Sequence, residues 1–352
     1  MDILILQGDG IGPEISKVTA GCLASLNSTH KLGLNFIHED IGFASLAHSG
    51  STFPDKVLDA ARAAAGVILG PIGSAEYPPV EKGGVNPSSA LRIKLDLFAN
   101  IRPSAVRPGC GALAKAMDLI IVRENTEGFY SDRNMAVGVG EFAPTDDVAL
   151  SVRKITRKGC RRIAEVAFEL ASRRKKQISI VHKANVLKLT DGWFIEEVNK
   201  VAKSYSNVRV NDFHIDAMAS MLVRQPEDFD VVVTTNMYGD ILSNIASEMS
   251  GSLGFASSLN AGDHYAVAQT AHGSAPHIAG TDKANPCGLM MSAAMLLEWL
   301  GKKHQRQDLE MAGQAFARAI DGTIADGVRT FDVGGTTGTR AFGQVILERL
   351  KA

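Results

Sequence analysis

Short apolar runs alternate along this chain with longer segments of helical period, the pattern of an α/β protein with much parallel sheet. Residues 3–6, 66–69, 119–123, 178–182 and 231–235 read as buried strands. Residues 156–174 read as an amphipathic helix. The basic run 173–176 that closes it reads as a solvated last turn, where cations suit the helix dipole. A second polar run, 302–310, is expected as an exposed loop and helix start. Neither an internal repeat nor a low-complexity tract interrupts the alternation.

Glycines gather at Gly8, Gly10 and Gly12, at Gly83 and Gly84, at Gly251 and Gly254, and at Gly334, Gly335 and Gly338. Loops at several strand ends therefore need positive φ or close backbone approach, and such loops are where an α/β protein carries its site. The first cluster, Gly8-Asp9-Gly10-Ile11-Gly12-Pro13-Glu14, follows the first strand. A dinucleotide fingerprint needs GxGxxG, whereas here the third glycine comes one residue early and Pro13 follows it. A turn with a helix start competes with a cofactor contact.

The chain has 352 residues with 37 basic and 38 acidic side chains, a formal charge of -1. Two domains are expected at that length, and the even charge argues against nucleic acid or an anionic membrane as partner. The apolar stretch 288–300 is broken by Glu298 and falls short of the roughly 20 residues that span a bilayer. Four cysteines lie scattered without CxxC pairing, and the acidic N-terminus lacks the marks of a signal peptide, so a cytoplasmic setting is expected.

Candidate chemistry sits in a few places. Arg92, Arg102 and Arg123 could clamp a di- or tricarboxylate through bidentate guanidinium contacts, with surface ion pairing as the alternative for each. Asp216, Asp240 and Asn244 form an acidic group in which residues 240 and 244 share one helix face. Their oxygens would suit Mg²⁺ or Mn²⁺, although a capping aspartate and a surface asparagine read equally well. Lys183 at a strand end and Tyr130 near the arginines could have lowered pKa values suited to proton transfer. His272-Gly273-Ser274-Ala275-Pro276-His277 is a small-residue loop against which a flat ligand could lie.

In order along the chain, GDGIGPE, LRxxLDLFANIRP, RENTEGFY, HKANVLKLTDG, DAMAxxLVRxPxxFDVVVTxNMYGDILS and HGSAP…ANP resemble the β-decarboxylating dehydrogenase family. That family comprises isopropylmalate, isocitrate, homoisocitrate and tartrate/malate dehydrogenases. The resemblance covers nearly the whole chain. It implies a two-domain isocitrate/isopropylmalate dehydrogenase-like α/β fold, distinct from a Rossmann fold, with the active site in the interdomain cleft. One domain would be 1–98 plus 251–352 and the central one 99–250. The resemblance also implies a homodimer or higher oligomer in which Lys183 and Asp216 come from the partner subunit.

Carried over by position, Arg92, Arg102 and Arg123 would bind the carboxylates of a 2-hydroxy acid, with Asn86 and Ser88 near its C3 substituent. Asp216, Asp240 and Asn244 would hold Mg²⁺ or Mn²⁺. Lys183 would be the base and Tyr130 the acid, while His272, Gly273, Ser274, Ala275, Pro276, His277 and Asn285 would bind NAD, with NADP possible. The implied reaction is metal-dependent oxidative decarboxylation of a 3-substituted malate to a 2-keto acid and CO₂. A non-catalytic subunit of the same fold is the alternative, as is a tartrate/malate or homoisocitrate dehydrogenase.

Two positions depart from the family pattern. Asn244 stands where relatives usually carry a second aspartate, which lowers the expected metal affinity by about 10- to 100-fold. His277 stands where NAD-dependent members carry an aspartate for the adenosine ribose, so the choice between NAD and NADP is left open. Asn86 and Ser88 exchange the serine and asparagine of isocitrate enzymes. That leaves isocitrate and isopropylmalate both open as substrates.

Overall fold

The computed structural model describes residues 1–130, 132, 134, 135 and 137–351. Its first half contains β1 (Asp2–Leu6), α1 (Gly12–His30), β2 (Asn35–Glu39), α2 (Gly42–Ser49), α3 (Asp55–Ala63), β3 (Gly66–Leu69), α4 (Pro87–Lys94), β4 (Ala99–Ala105), β5 (Asp118–Glu124), β6 (Glu141–Thr145), β7 (Val148–Ser151) and α5 (Arg157–Ser172). The second half contains β8 (Gln177–His182), α6 (Thr190–Ala202), β9 (Arg209–His214), α7 (Ile215–Arg224), β10 (Val231–Thr234), α8 (Asn236–Met249), β11 (Ser257–Ala261), β12 (Ala266–Thr270), α9 (Cys287–His304), α10 (Gln307–Ala325) and α11 (Thr339–Arg349).

Ten strands form one sheet in the order β2-β1-β3-β12-β11-β4-β5-β10-β8-β9. The five apolar runs expected as strands are all there, and both flanks of the sheet pair in parallel. The centre differs: β12, β11, β4 and β5 pair antiparallel. Central strands such as Ala-Asn-Ile-Arg-Pro-Ser-Ala and Ser-Ser-Leu-Asn-Ala lack continuous apolar runs, so hydrophobicity alone does not mark them. They are buried because their polar side chains bond one another, which removes the cost of desolvating each alone.

Helices cover both faces of the sheet. One large core packs α1, α9, α10 and α11 on β1 and β11, and a second packs α3 and α4 on the other side of β1 and β3. Two further cores, centred on Phe168 and on Leu242, pack α5 and α6, and α7 and α8, against opposite faces of β5, β8 and β10. The two-stranded ribbon β6–β7 stands apart with every residue exposed, Phe142 and Leu150 among them.

Two local expectations change. The segment 302–310 is mostly helical, since α9 runs to His304, Gln305 reverses the chain at φ 55°, and α10 begins at Gln307. The basic run after α5 is not simply solvated. Arg174 pairs with Asp118 at 2.8 Å and with the fully buried Asp230 at 2.7 Å. A buried carboxylate needs such a partner, and a basic cluster in sequence does not reveal which cation supplies it.

Candidate active site

Strand period sets the first part of the site. In β4 the side chains alternate, so Ile101 joins a core while Asn100 and Arg102 face the other way. Arg123, near the end of β5, turns to the same side. The β10–α8 connection brings Asn236 and, one turn later, Asp240 over these strand ends, where ligand sites of α/β sheets form.

The two guanidinium groups converge on one carboxylate. Arg102 Nη1 lies 3.1 Å from Asp240 Oδ1 and 2.7 Å from Ser243 Oγ. Arg123 Nη1 donates to the same Asp240 oxygen, its Nε donates to Asn236 Oδ1 at 2.8 Å, and its Nη2 donates to Tyr130 at 2.6 Å. The Tyr130 hydroxyl is in turn 3.4 Å from Asp240 Oδ2.

This packing decides the charges. Burial, followed by the neighbouring Arg123 charge, pulls the Arg102 guanidinium down to about 10. Burial works to raise the Asp240 carboxyl, but Arg123, Arg102 and Arg92 together outweigh it and hold it below its ordinary range. For Tyr130 the sign is opposite to the lowered value expected from nearby arginines. Burial prevails over them and pushes the phenol up, so it stays protonated. A protonated phenol is suited to donating a proton.

Arg92 and Ser88 belong to α4 and meet a residue that sequence reasoning missed, Gln269 of β12. Its Oε1 accepts from Ser88 Oγ at 2.9 Å, from Arg92 Nη2 at 3.5 Å and from Asn260 at 3.4 Å. Asn260 continues to Asn100 at 2.9 Å, and Asn100 accepts from Arg102 Nε. A buried amide chain thus joins the α4 arginine to the β4 arginine. Polar residues isolated in apolar strands, Gln269 and Asn260, were the available signal. Asn86 instead caps α4, accepting from Ser89 N at 3.0 Å.

Lys183 follows β8 and ion-pairs with Asp216 at the start of α7, which holds the Asp216 carboxyl below its usual range. Lys183 therefore sits beside an acid. Among the described residues the pair shares no hydrogen-bond partner with Asp240. Asn244 is exposed on α8 one turn after Asp240. Among the described residues no three His, Cys, Asp or Glu side chains cluster as a cation site. Asp240 and Asn244 still offer hard oxygen donors, the chemistry that Mg²⁺ and Mn²⁺ favour.

A pocket of about 330 Å³ is lined by Ile11, His272, Gly273, Ala275, Asn285 and Asp332 among others. His272 Nε2 is buried without a partner among the described residues, and burial lowers the ring's pKa, favouring the neutral form. An unsatisfied nitrogen in such a pocket suits a flat heteroaromatic ligand. Asp332, also missed in the sequence, gathers Ser252 at 2.5 Å, Asn285 at 3.0 Å and Thr330 at 2.6 Å. It stands two residues before the glycines at 334 and 335. Both ends of the Asn285 amide are spent within the chain, on Asp332 and on Cys287 N.

The early glycine cluster takes its reading as a turn with a helix start, and the same turn reaches the pocket. Pro13 opens α1 in the first turn, while Ile11 lines the pocket and donates to Ser274 O at 2.9 Å. Gly10 has φ 58°, and a Cβ there would lie 2.0 Å from Ser274 O, so only glycine lets the two loops meet. Ser274 is buried, Pro276 and His277 begin a short turn, and His277 is exposed.

Two buried arginines converging on one carboxylate, and a separate small pocket, stand on one mixed α/β scaffold. The sequence profile described as isocitrate/isopropylmalate dehydrogenase matches residues 2–346. A 3-isopropylmalate dehydrogenase of Methanothermobacter thermautotrophicus is 38% identical over 100% of this chain and 99% of its own. An isocitrate/homoisocitrate dehydrogenase of Thermus thermophilus is also 38% identical, over 99% of this chain and 98% of its own. The crystal structure of isocitrate dehydrogenase from Methylococcus capsulatus superposes with a TM-score of 0.87 at 35% identity, covering 100% of this chain and 99% of that one. The chain belongs to the isocitrate/isopropylmalate dehydrogenase family. It is an oxidoreductase of the decarboxylating dehydrogenase class, whose members generally use NAD(P) and a divalent metal.

Proposed function

We propose that this chain oxidises and decarboxylates a 3-substituted malate, giving a 2-keto acid and CO₂ with reduction of NAD. The observation that carries the reading is the convergence of Arg102, Arg123 and Tyr130 on Asp240. Arg102, Arg123 and Arg92 bind the substrate carboxylates. Lys183 takes the proton of the 2-hydroxyl as C2 is oxidised, and after CO₂ leaves, the Tyr130 phenol delivers a proton to C3 of the enolate. Asp240, Asn244 and Asp216 would hold a divalent cation, which would supply Lewis acidity, and a bound nicotinamide cofactor would supply the hydride acceptor.

His272, Gly273, Ser274, Ala275, Pro276, His277 and Asn285 form the nucleotide side. With no Lys or Arg at position 277, NAD is favoured over NADP. Ser88, Gln269 and Arg92 give the C3 side a polar lining, which favours a carboxylate-bearing substituent of the isocitrate or homoisocitrate kind over an isopropyl group.

The working unit in this reading is a homodimer, with Lys183 and Asp216 serving the partner's site. Exposed Phe142 and Leu150 on the ribbon, Val223 on α7 and Ile241 on α8 are the apolar surface that supports it. The bodies 1–98 plus 251–352 and 99–250 are taken as the halves that close on substrate, supported by hydrophobic cores that divide near those bounds apart from Cys110, Phe98 and Met295. Free thiols at all four cysteines fit a reducing cytoplasm.

The test is absorbance of the reduced nicotinamide with Mn²⁺ present, for isocitrate, homoisocitrate, isopropylmalate, tartrate and malate against NAD and NADP. Metal-dependent turnover of isocitrate or homoisocitrate with NAD is expected. Turnover of isopropylmalate instead overturns the substrate reading, and silence across the panel from folded dimer overturns the catalytic one.

A further inference from the structure

We propose that the buried ion pair Arg153–Asp191 is a positioning device that fixes the segment of Lys183, the base serving the partner's site, to the body that carries Tyr130 and Asp240 of its own site. The proposal rests on the residue roles given under Proposed function. Arg153 lies between β7 and α5, and Asp191 is the second residue of α6. Their side chains are 7% and 0% exposed, so both charges are removed from water.

The side-chain contacts of the pair reach the segments of the candidate catalytic residues. Asp191 Oδ1 receives the Arg153 guanidinium, and its Oδ2 accepts the backbone N–H of Lys183 at 2.6 Å. Arg153 donates to Thr190 Oγ1 and, through its other terminal nitrogen, to Thr235 Oγ1, each at 3.0 Å. Thr235 immediately precedes α8, the helix that carries Asp240. The guanidinium also lies over the rings of Phe129, at 5.8 Å, and Tyr238, at 5.3 Å. Phe129 is the neighbour of Tyr130. Next to Arg153, Lys154 exchanges backbone hydrogen bonds of 2.8 and 3.0 Å with Gly128. One planar fork thus touches the chain segments of base, acid and Asp240.

A role in stability alone does not require this chemistry. Apolar residues of similar volume commonly replace a buried ion pair without loss of stability. What the guanidinium adds is direction, because its donors are fixed in one plane. Proton transfer is sensitive to placement at the scale of an ångström. The pair contacts the backbone of Lys183 and the neighbours of Tyr130 and Asp240, so it acts through these residues and not on substrate.

The experiment compares R153K, R153M, D191N and the double variant R153M/D191L in the full chain. Thermal unfolding, kcat, both KM values and the pH profile of kcat are measured on whichever substrate the wild type turns over. Below the unfolding temperature, kcat of R153M and of the double variant is expected to fall by about 10- to 100-fold. The cofactor KM should stay within about twofold, the pH profile should shift, and R153K should recover part of the rate. A folded double variant with wild-type kcat and pH profile overturns the proposal, whatever its melting temperature. Native-state hydrogen exchange reads the positioning without turnover: in R153M, exchange should quicken at 182–187 and 127–130 while β1 and β3 stay unchanged. Unchanged exchange at 182–187 also overturns it. A wild type silent on the whole substrate panel sinks the parent reading instead, and the exchange data alone then decide whether the pair holds the Lys183 segment.

Discussion

The Asp240 cluster and the His272 pocket are built on different principles. Around Asp240, charge is dense and partly neutralised, two guanidinium groups sharing one carboxylate with Tyr130 bonded beside them. In the pocket the shape comes from backbone: Gly10 packed on Ser274, and Ala275 held at φ 38°, a conformation side-chain-bearing residues seldom adopt. His272 Nε2 is left there without a partner among the described residues. A site for a polyanion must hold its cations together before the anion arrives, and a built-in carboxylate does so. A site for a flat neutral ring needs only a surface and an unspent hydrogen-bonding atom.

Each region should therefore fail in its own way. The largest effect is expected for Tyr130→Phe, which removes the proposed proton donor and should lower turnover by about 10²- to 10⁴-fold with cofactor KM unchanged. Steady-state kinetics check this, and an equal rise in cofactor KM would erase the distinction between the regions. Asn244→Asp adds a carboxylate one turn from Asp240 and should tighten Mn²⁺ binding by about 10- to 100-fold in a direct titration. No tightening in a folded protein removes Asn244 from the metal ligands.

Asp332→Ala leaves Ser252, Thr330 and Asn285 without their acceptor, a loss of about 1–3 kcal/mol. It should raise cofactor KM by roughly tenfold and leave substrate KM alone, the mirror image of the Tyr130 result. The smallest effect is in acid. The depressed Asp240 carboxyl stabilises the fold fully above the ordinary aspartate value of about 3.9, and this contribution is lost as pH falls through the lower folded value. Melting temperature against pH should thus fall less steeply below about pH 4 in Asp240→Asn. The difference should be about 1 kcal/mol or less, because the side chain is 41% exposed and solvent screens it.

Legibility in the sequence follows the same divide between pattern and pairing. The buried parallel strands were readable because continuous apolar runs such as Val231–Thr234 have one good reading. The antiparallel centre was not, since Asn100, Arg102, Asn260 and Gln269 look unfit for burial until their mutual bonds are known. Arg102, Arg123, Tyr130 and Asp240 were each visible as residue types with plausible chemistry. That Tyr130 would be pushed up and not down depended on burial, which local sequence does not report. Gln269 and Asp332 were hidden for a related reason, since each matters through side chains that converge on it from distant parts of the chain.

The shared Asp240 oxygen also bears on how ligands enter. Arg102 and Arg123 both rest on Oδ1, so the aspartate acts as a stand-in for the anion the arginines are expected to bind. In the proposed reaction that carboxylate must release the arginines to substrate and turn to a cation, and neither exchange is favourable alone. Loading should therefore be synergistic: Mn²⁺ binds more tightly with substrate than without it, and substrate more tightly with Mn²⁺, by one common factor. Calorimetric titrations in both orders would measure that factor, and a value of one would mean that the arginines and the cation do not compete for the same oxygen.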